Sequence, residues 1–182
     1  MPQAACTLFD TALGRCAIAW GDAGVLAVQL PEADDAATLA QLRRRAHGAR
    51  QGLPDAEARR AIDGVIALLR GEHRDLLEVR LDMHGLSELQ RAVYELARRI
   101  APGRTRTYGA IAAELGGPHL ARAVGQALGR NPFAPVVPCH RVLASHGGAG
   151  GFSANGGLRT KLALLQIEGA DPSGSADLFS RH

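Results

Sequence analysis

Apolar residues gather in three strand-length runs near the start of the chain, at residues 6–10, 15–20 and 25–30. Thr11-Ala12-Leu13-Gly14 and Gly21-Asp22-Ala23-Gly24 separate them, so the pattern predicts a small antiparallel meander. Residues 36–47 and 55–70 then change to helical spacing, with Asp35 and Asp55 placed as caps. Residues 76–83 alternate again and predict a further strand, closing a small α/β unit near His84-Gly85.

Beyond that point the periodicity is helical. Ser87 can cap a helix whose apolar positions are Leu89, Val93, Leu96 and Ile100, and Ala101-Pro102-Gly103 ends it. Residues 108–115 and 119–128 predict two short helices around Gly116-Gly117-Pro118, a helix-turn-helix arrangement. Asn131-Pro132-Phe133-Ala134-Pro135 breaks the chain before the apolar Val136-Val137. Residues 147–157 are glycine-rich and predict a loop. A last helix is expected over residues 158–168, with Leu158, Leu162, Leu165 and Ile167 mostly inward, then a loose tail poor in apolar residues.

Composition narrows the class. With 46% hydrophobic and 21% charged residues in 182, the chain is globular and long enough to bury a core. No stretch approaches the roughly 20 apolar residues that span a bilayer. Met1-Pro2-Gln3-Ala4-Ala5 lacks the charged and apolar segments of an export signal, so a cytoplasmic protein with no membrane partner is expected. The cysteines Cys6, Cys16 and Cys139 are odd in number and form no CxxC, so the spacing indicates neither a disulfide framework nor a zinc ribbon. The net charge of +3 divides unevenly, −2 up to Ser87 and +5 from Glu88 onward, which makes the second half the better face for a polyanion. Arginine also replaces lysine almost everywhere (Lys161 is the single lysine), so charge alone leaves nucleic acid open.

The run Pro138-Cys139-His140-Arg141-Val142 carries candidate chemistry. The thiolate is the reactive form of cysteine, and a histidine oriented by a carboxylate can take its proton. Neighbouring residues of a strand point to opposite sides, so Cys139 and His140 act together only where the backbone turns. A Cys-His pair alone is weak evidence, because an inert buried cysteine beside a surface histidine is the common outcome. A helix-turn-helix within one small domain's length of the thiol raises the odds of chemistry on DNA, where a damaged base would leave the stack to reach it.

Together with Tyr108, the run Ala121-Arg122-Ala123-Val124-Gly125 and Asn131-Pro132, this motif resembles the O6-alkylguanine-DNA alkyltransferase family from about Leu89 to Gly169. The resemblance implies a small amino-terminal α/β, RNase H-like domain over residues 1–85. It further implies a helical, winged-helix-like domain over 86–170 that binds DNA and accepts the alkyl group, before a tail at 171–182. Cys139 would accept the alkyl group by direct displacement, with His140 as base through water, Glu168 orienting it and Asn131 holding the cysteine turn. Arg122 would fill the gap left by the flipped base, and Ala121, Ala123 and Gly125 would let the helix approach the minor groove. Arg141 joins the DNA-binding set, while Tyr108, Phe152, Ser153 and Val142 would line the substrate pocket.

The chain departs from the family pattern at Phe152, where many members carry tyrosine, and in a longer loop before Gly156-Gly157-Leu158. Phe152 can stack on a base but donates no hydrogen bond. Leu89 also stands where an aromatic residue is common. The implied activity is single-turnover transfer from O6-alkylguanine, and O4-alkylthymine, in double-stranded DNA. It would need no cofactor or metal and would be carried out by a monomer. A binder of alkylated DNA without chemistry, or a helix-turn-helix transcriptional regulator, would have no use for Cys139, His140, Asn131 and Glu168.

Overall fold

A computed structural model describes residues 3–145 and 157–170. Strands β1 (Ala5–Thr11), β2 (Gly14–Gly21) and β3 (Gly24–Gln29) form the expected meander, antiparallel from one to the next. A fourth strand, β4 (Arg50–Gln51), adds to β1 in parallel, giving the order β3-β2-β1-β4. It has two polar, exposed residues and therefore no hydrophobic signal for the sequence to display.

Helices cover both faces of this sheet. Helix α1 (Asp35–Arg45) packs over a cluster containing Cys6, Ala17, Ala19, Ala27 and Leu42. Its cap is Asp34 rather than Asp35: the Asp34 carboxylate accepts from Ala37 N at 2.8 Å, while Asp35 pairs with Arg15. Helix α2 (Ala56–Leu69), capped by Asp55 as expected, lies on the other face. There Phe9, Cys16, Ile18 and Trp20 meet Ala61, Val65 and Leu68. Cys6 and Cys16 consequently belong to clusters on opposite faces, so the hairpin does not bring them together.

Residues 76–83 do not form the expected strand. Leu76 takes a left-handed backbone, φ 57°, and only Leu81 bridges to Val25. The carbonyls of Leu76, Leu77 and Val79 accept instead from Arg98 Nη2 at 2.8, 3.1 and 2.8 Å.

Helix α3 (Glu88–Arg98) begins at a reciprocal cap between Ser87 and Gln90. Strand β5 (Arg106–Thr107) leads into α4 (Tyr108–Leu115), and Gly116 and Gly117, at φ 141° and 151°, make the turn. A single 3-10 turn, Pro118–Leu120, precedes α5 (Ala121–Gly129), so the second helix of the pair starts later than its apolar pattern suggested. Another 3-10 turn, Cys139–Arg141, runs into β6 (Val142–Leu143), which pairs in parallel with β5.

Helix α6 (Leu158–Ile167) buries Leu165 as expected, but not Leu158 or Leu162. Leu158 and Leu162 are 49% and 37% exposed, whereas Lys161, Leu164, Leu165 and the following Glu168 are buried. The inward face is thus set by two charged residues that find partners inside. One hydrophobic cluster runs from β1–β3 and α2 through α3, α4 and α5 to Cys139, crossing the expected division at residue 85. Among the described residues no helix is long and apolar enough to cross a membrane.

Candidate active site

Cys139 is placed by the chain break that follows α5. Asn131, buried, donates from Nδ2 to Val137 O at 2.8 Å and accepts from Phe133 N at 2.9 Å, tying both ends of the loop to one side chain. Cys139 N then donates to Val137 O at 2.8 Å and Arg141 N to Pro138 O at 2.9 Å, which closes the turn. The backbone bend that a Cys-His pair requires is present. Burial pushes the Cys139 thiol up from its ordinary pKa, while Asn131, Lys161 and Arg45 all favour the thiolate.

Behind the cysteine lies a buried network centred on Glu168. Its Oε1 meets His140 Nε2 at 2.8 Å and Arg141 Nη2 at 2.7 Å, and its Oε2 accepts from Arg141 Nε at 2.9 Å. Burial alone would raise the Glu168 carboxyl, but the bonds from His140 and Arg141 bring it down to about 2. An ionised carboxylate only accepts, so the bond to His140 fixes the proton on Nε2 and leaves Nδ1 a bare acceptor. Burial pushes His140 below its ordinary pKa; the Glu168 carboxylate opposes this and the Arg141 and Lys161 charges reinforce it, and the net direction favours the neutral ring. Nδ1 is buried and has no hydrogen-bond partner among the described residues. The arrangement is a neutral base held in one tautomer, with its free lone pair unspent.

The β5–β6 pair brings the distant Tyr108 to the same place, since Thr107 is in register with Leu143 immediately after the cysteine turn. Tyr108 is half-buried at the start of α4, and its ring faces Gly125 on α5. A Cβ at Gly125 would lie 3.9 Å from the ring, so the glycine fits closely without being sterically required. Lys161, fully buried, donates from Nζ to Val142 O at 2.7 Å and to the Tyr108 hydroxyl at 3.4 Å. Burial brings the lysine down to about 8, partly countered by Cys139.

Other expected residues divide between surface and interior. Arg122 is exposed on α5, with Ala121 and Ala123 half-buried beside it. Val142 is fully buried, with its carbonyl engaged by Lys161. Arg141 departs from the expectation that it contacts DNA. It is 1% exposed, bound to Glu168 by three hydrogen bonds, and donates from Nη1 to Ile100 O at 2.6 Å. Its charge therefore serves the interior. Phe152 and Ser153 lie outside the described residues.

Three residues of the site went unread in the sequence. Lys161 had a signal, as the one lysine in a chain that otherwise uses arginine: a compact ammonium suits a narrow buried site where a guanidinium does not. Tyr94 donates to Ala127 O at 2.8 Å and stands edge-on to Phe133; it falls outside the apolar positions Leu89, Val93, Leu96 and Ile100 and no motif marks it. Arg45, on α1, reaches Asn131 O at 3.2 Å across 86 positions of sequence, and no local pattern carries such a contact.

Comparison with known proteins places this geometry. Residues 88–170 match the family model described as 6-O-methylguanine DNA methyltransferase, DNA binding domain. A methylated-DNA–protein-cysteine methyltransferase of Mycolicibacterium paratuberculosis is 43% identical over 119 residues, 65% of this chain and 70% of that protein. A DNA base-flipping protein of Thermus thermophilus is 46% identical over 120 residues, 64% of this chain and 79% of that one. Among solved structures, Mycobacterium tuberculosis OGT in complex with DNA superposes with a TM-score of 0.71 and 30% identity, covering 92% of this chain and 96% of that one.

Proposed function

Because the chain belongs to the O6-alkylguanine-DNA alkyltransferase family, we propose that Cys139 is the alkyl acceptor and that the buried network behind it prepares its sulfur. The protein is a single-turnover methylated-DNA–protein-cysteine methyltransferase that repairs O6-alkylguanine by direct reversal. The observation carrying the assignment of Cys139 is the Glu168–His140 pair at 2.8 Å, one residue from the thiol, with Nδ1 left as acceptor.

The chemistry follows from the protonation states. His140 Nδ1 takes the thiol proton through a bridging water, and Lys161 and Arg45 favour the resulting thiolate. Sγ forms a bond to the alkyl carbon as the carbon–O6 bond breaks. The electron pair stays on the base, which takes up a proton and becomes guanine. The same displacement suits O4-alkylthymine. Freeing the cysteine would require its thiolate to leave an unactivated alkyl carbon, which a thioether does not do in water, so each molecule acts once.

The partner is DNA, and the form proposed is a double strand carrying alkylated bases, bound by a monomer. Residues 86–170 would bind DNA and hold the acceptor, with residues 1–85 buttressing it. Helix α5 would enter the minor groove by its small residues Ala121, Ala123 and Gly125, with Arg122 in the space left by the extruded nucleotide. Tyr108 and Val142 would border the pocket. Three buried free thiols fit a reducing compartment such as the cytoplasm.

Two substrates test this reading together. Wild-type protein should restore guanine in an O6-methylguanine duplex, and Arg122→Ala should slow that reaction about tenfold or more while leaving reaction with the free base unchanged. A folded wild type that restores no guanine would overturn the function, and equal losses on both substrates would remove Arg122 from base extrusion.

A further inference from the structure

The amino-terminal half touches the acceptor loop at two adjacent carbonyls. β3 is an edge strand, and its Val28 N donates outward to Pro132 O at 2.8 Å. Arg45, the last residue of α1, sends Nη1 to Asn131 O at 3.2 Å. Asn131 is the residue whose side chain ties the loop ends behind Cys139. Grip on this loop therefore comes from both halves of the chain: side-chain bonds within the second, and a strand edge and a guanidinium from the first.

We propose that Arg45 is a positioning residue for alkyl transfer, holding the Asn131 carbonyl and presenting a positive charge to the Cys139 sulfur from the amino-terminal half. The inference rests on the reading of Cys139 as acceptor. An ordinary surface arginine at a helix end would serve its own helix carbonyls. Arg45 instead reaches a residue of the acceptor loop, and its position is half-buried.

The charges around the pair are few. Burial lowers the arginine's pKa, opposed first by Cys139 and then by Glu32 and Tyr94. Facing Cys139 are Lys161 on α6, Arg45 on α1, Tyr94 on α3 and Tyr108 on α4. Among the described residues, Lys161 and Arg45 are the cations that favour the Cys139 thiolate, and they approach from opposite halves of the sequence. Losing either should make the thiolate harder to form.

The test compares the full-length wild type with Arg45→Met and Arg45→Lys. Iodoacetamide labelling of the Cys139 peptide is followed against pH, and single-turnover transfer from an O6-methylguanine duplex is timed in parallel. Cys6 and Cys16 are buried, and peptide mapping separates them from Cys139. Arg45→Met should move the labelling midpoint upward by about one pH unit and slow transfer about tenfold. Arg45→Lys keeps the charge and should restore most of the midpoint.

Unchanged midpoint and rate in Arg45→Met would overturn the proposal. So would a fall in melting temperature shared by both variants with the midpoint unmoved, which is the mark of packing alone. Should Arg45→Met not fold, Arg45→Gln takes its place with the same expected shift. A wild type that labels normally but transfers nothing would instead defeat the assignment of Cys139 as acceptor.

Discussion

Cys139→Ala abolishes alkyl transfer and leaves the fold and the affinity for DNA in place. The side chain is 6% exposed, and the change removes one sulfur atom from a packed turn, costing about 1 kcal/mol. The turn itself is held by the Asn131 Nδ2 to Val137 O bond, by Cys139 N to Val137 O and by Arg141 N to Pro138 O, three bonds that survive loss of the sulfur, although Asn131 also bonds the thiol. Arg122 and the small residues of α5 stand on a different element and are untouched. Transfer from a labelled O6-methylguanine duplex should therefore fall to background, while a gel-shift or anisotropy titration gives the wild-type affinity. Residual transfer would mean that another residue accepts the group. Lost binding would mean that the cysteine turn supports the DNA-facing surface.

Glu168→Gln should have the largest effect on stability and a large one on rate. Arg141 is buried with Glu168 as its counterion, and removing that charge strands a guanidinium in the interior, a loss on the order of 3–5 kcal/mol. The same change removes the anion that fixes His140 with its proton on Nε2, so single-turnover transfer should slow about 100-fold. The double variant Arg141→Met with Glu168→Gln separates the two effects. It should recover much of the stability, because no unpaired charge remains, without recovering the rate. Recovery of both would reduce Glu168 to a structural counterion.

The acid limb of the stability curve carries the same information. Glu168 is brought down to about 2 in the folded protein from an ordinary 4.5. Between those values the unfolded chain binds the proton and the folded protein does not, so this contribution is complete above pH 4.5 and is lost as pH falls toward 2. It is on the order of 3 kcal/mol. Denaturant titrations of wild type should show stability falling across that window, and Glu168→Gln should flatten the fall. Parallel curves for the two proteins would contradict the pairing.

What could be read in the sequence was whatever is written locally. The meander, the caps at Asp55 and Ser87, the first short helix and the Pro-Cys-His-Arg run depend on neighbours within a few residues, and each appears where its pattern lies, while the second short helix starts two residues late, after a 3-10 turn. Arg141 was read toward DNA, and Leu158 and Leu162 were read inward on α6, where Lys161 and Leu164 are buried instead. The burial of Arg141 and Lys161 depends on partners at positions 100, 108, 142 and 168 that only the folded chain brings near. Residues 76–83 alternate as a strand would, but the carbonyls of Leu76, Leu77 and Val79 accept from Arg98 instead. Strands β5 and β6 have two residues each, too short for any periodicity, yet they join Tyr108 to the cysteine turn.

The central claim is that the alkyl group ends on the sulfur of Cys139. The direct measurement incubates the folded protein with an excess of duplex carrying isotopically labelled O6-methylguanine, digests it, and finds the label by peptide mass spectrometry. The predicted result is one methyl group per protein molecule, on the peptide containing Cys139, with guanine restored in equal amount. Label on the Cys6 or Cys16 peptide, or guanine restored with the protein's mass unchanged, would contradict it.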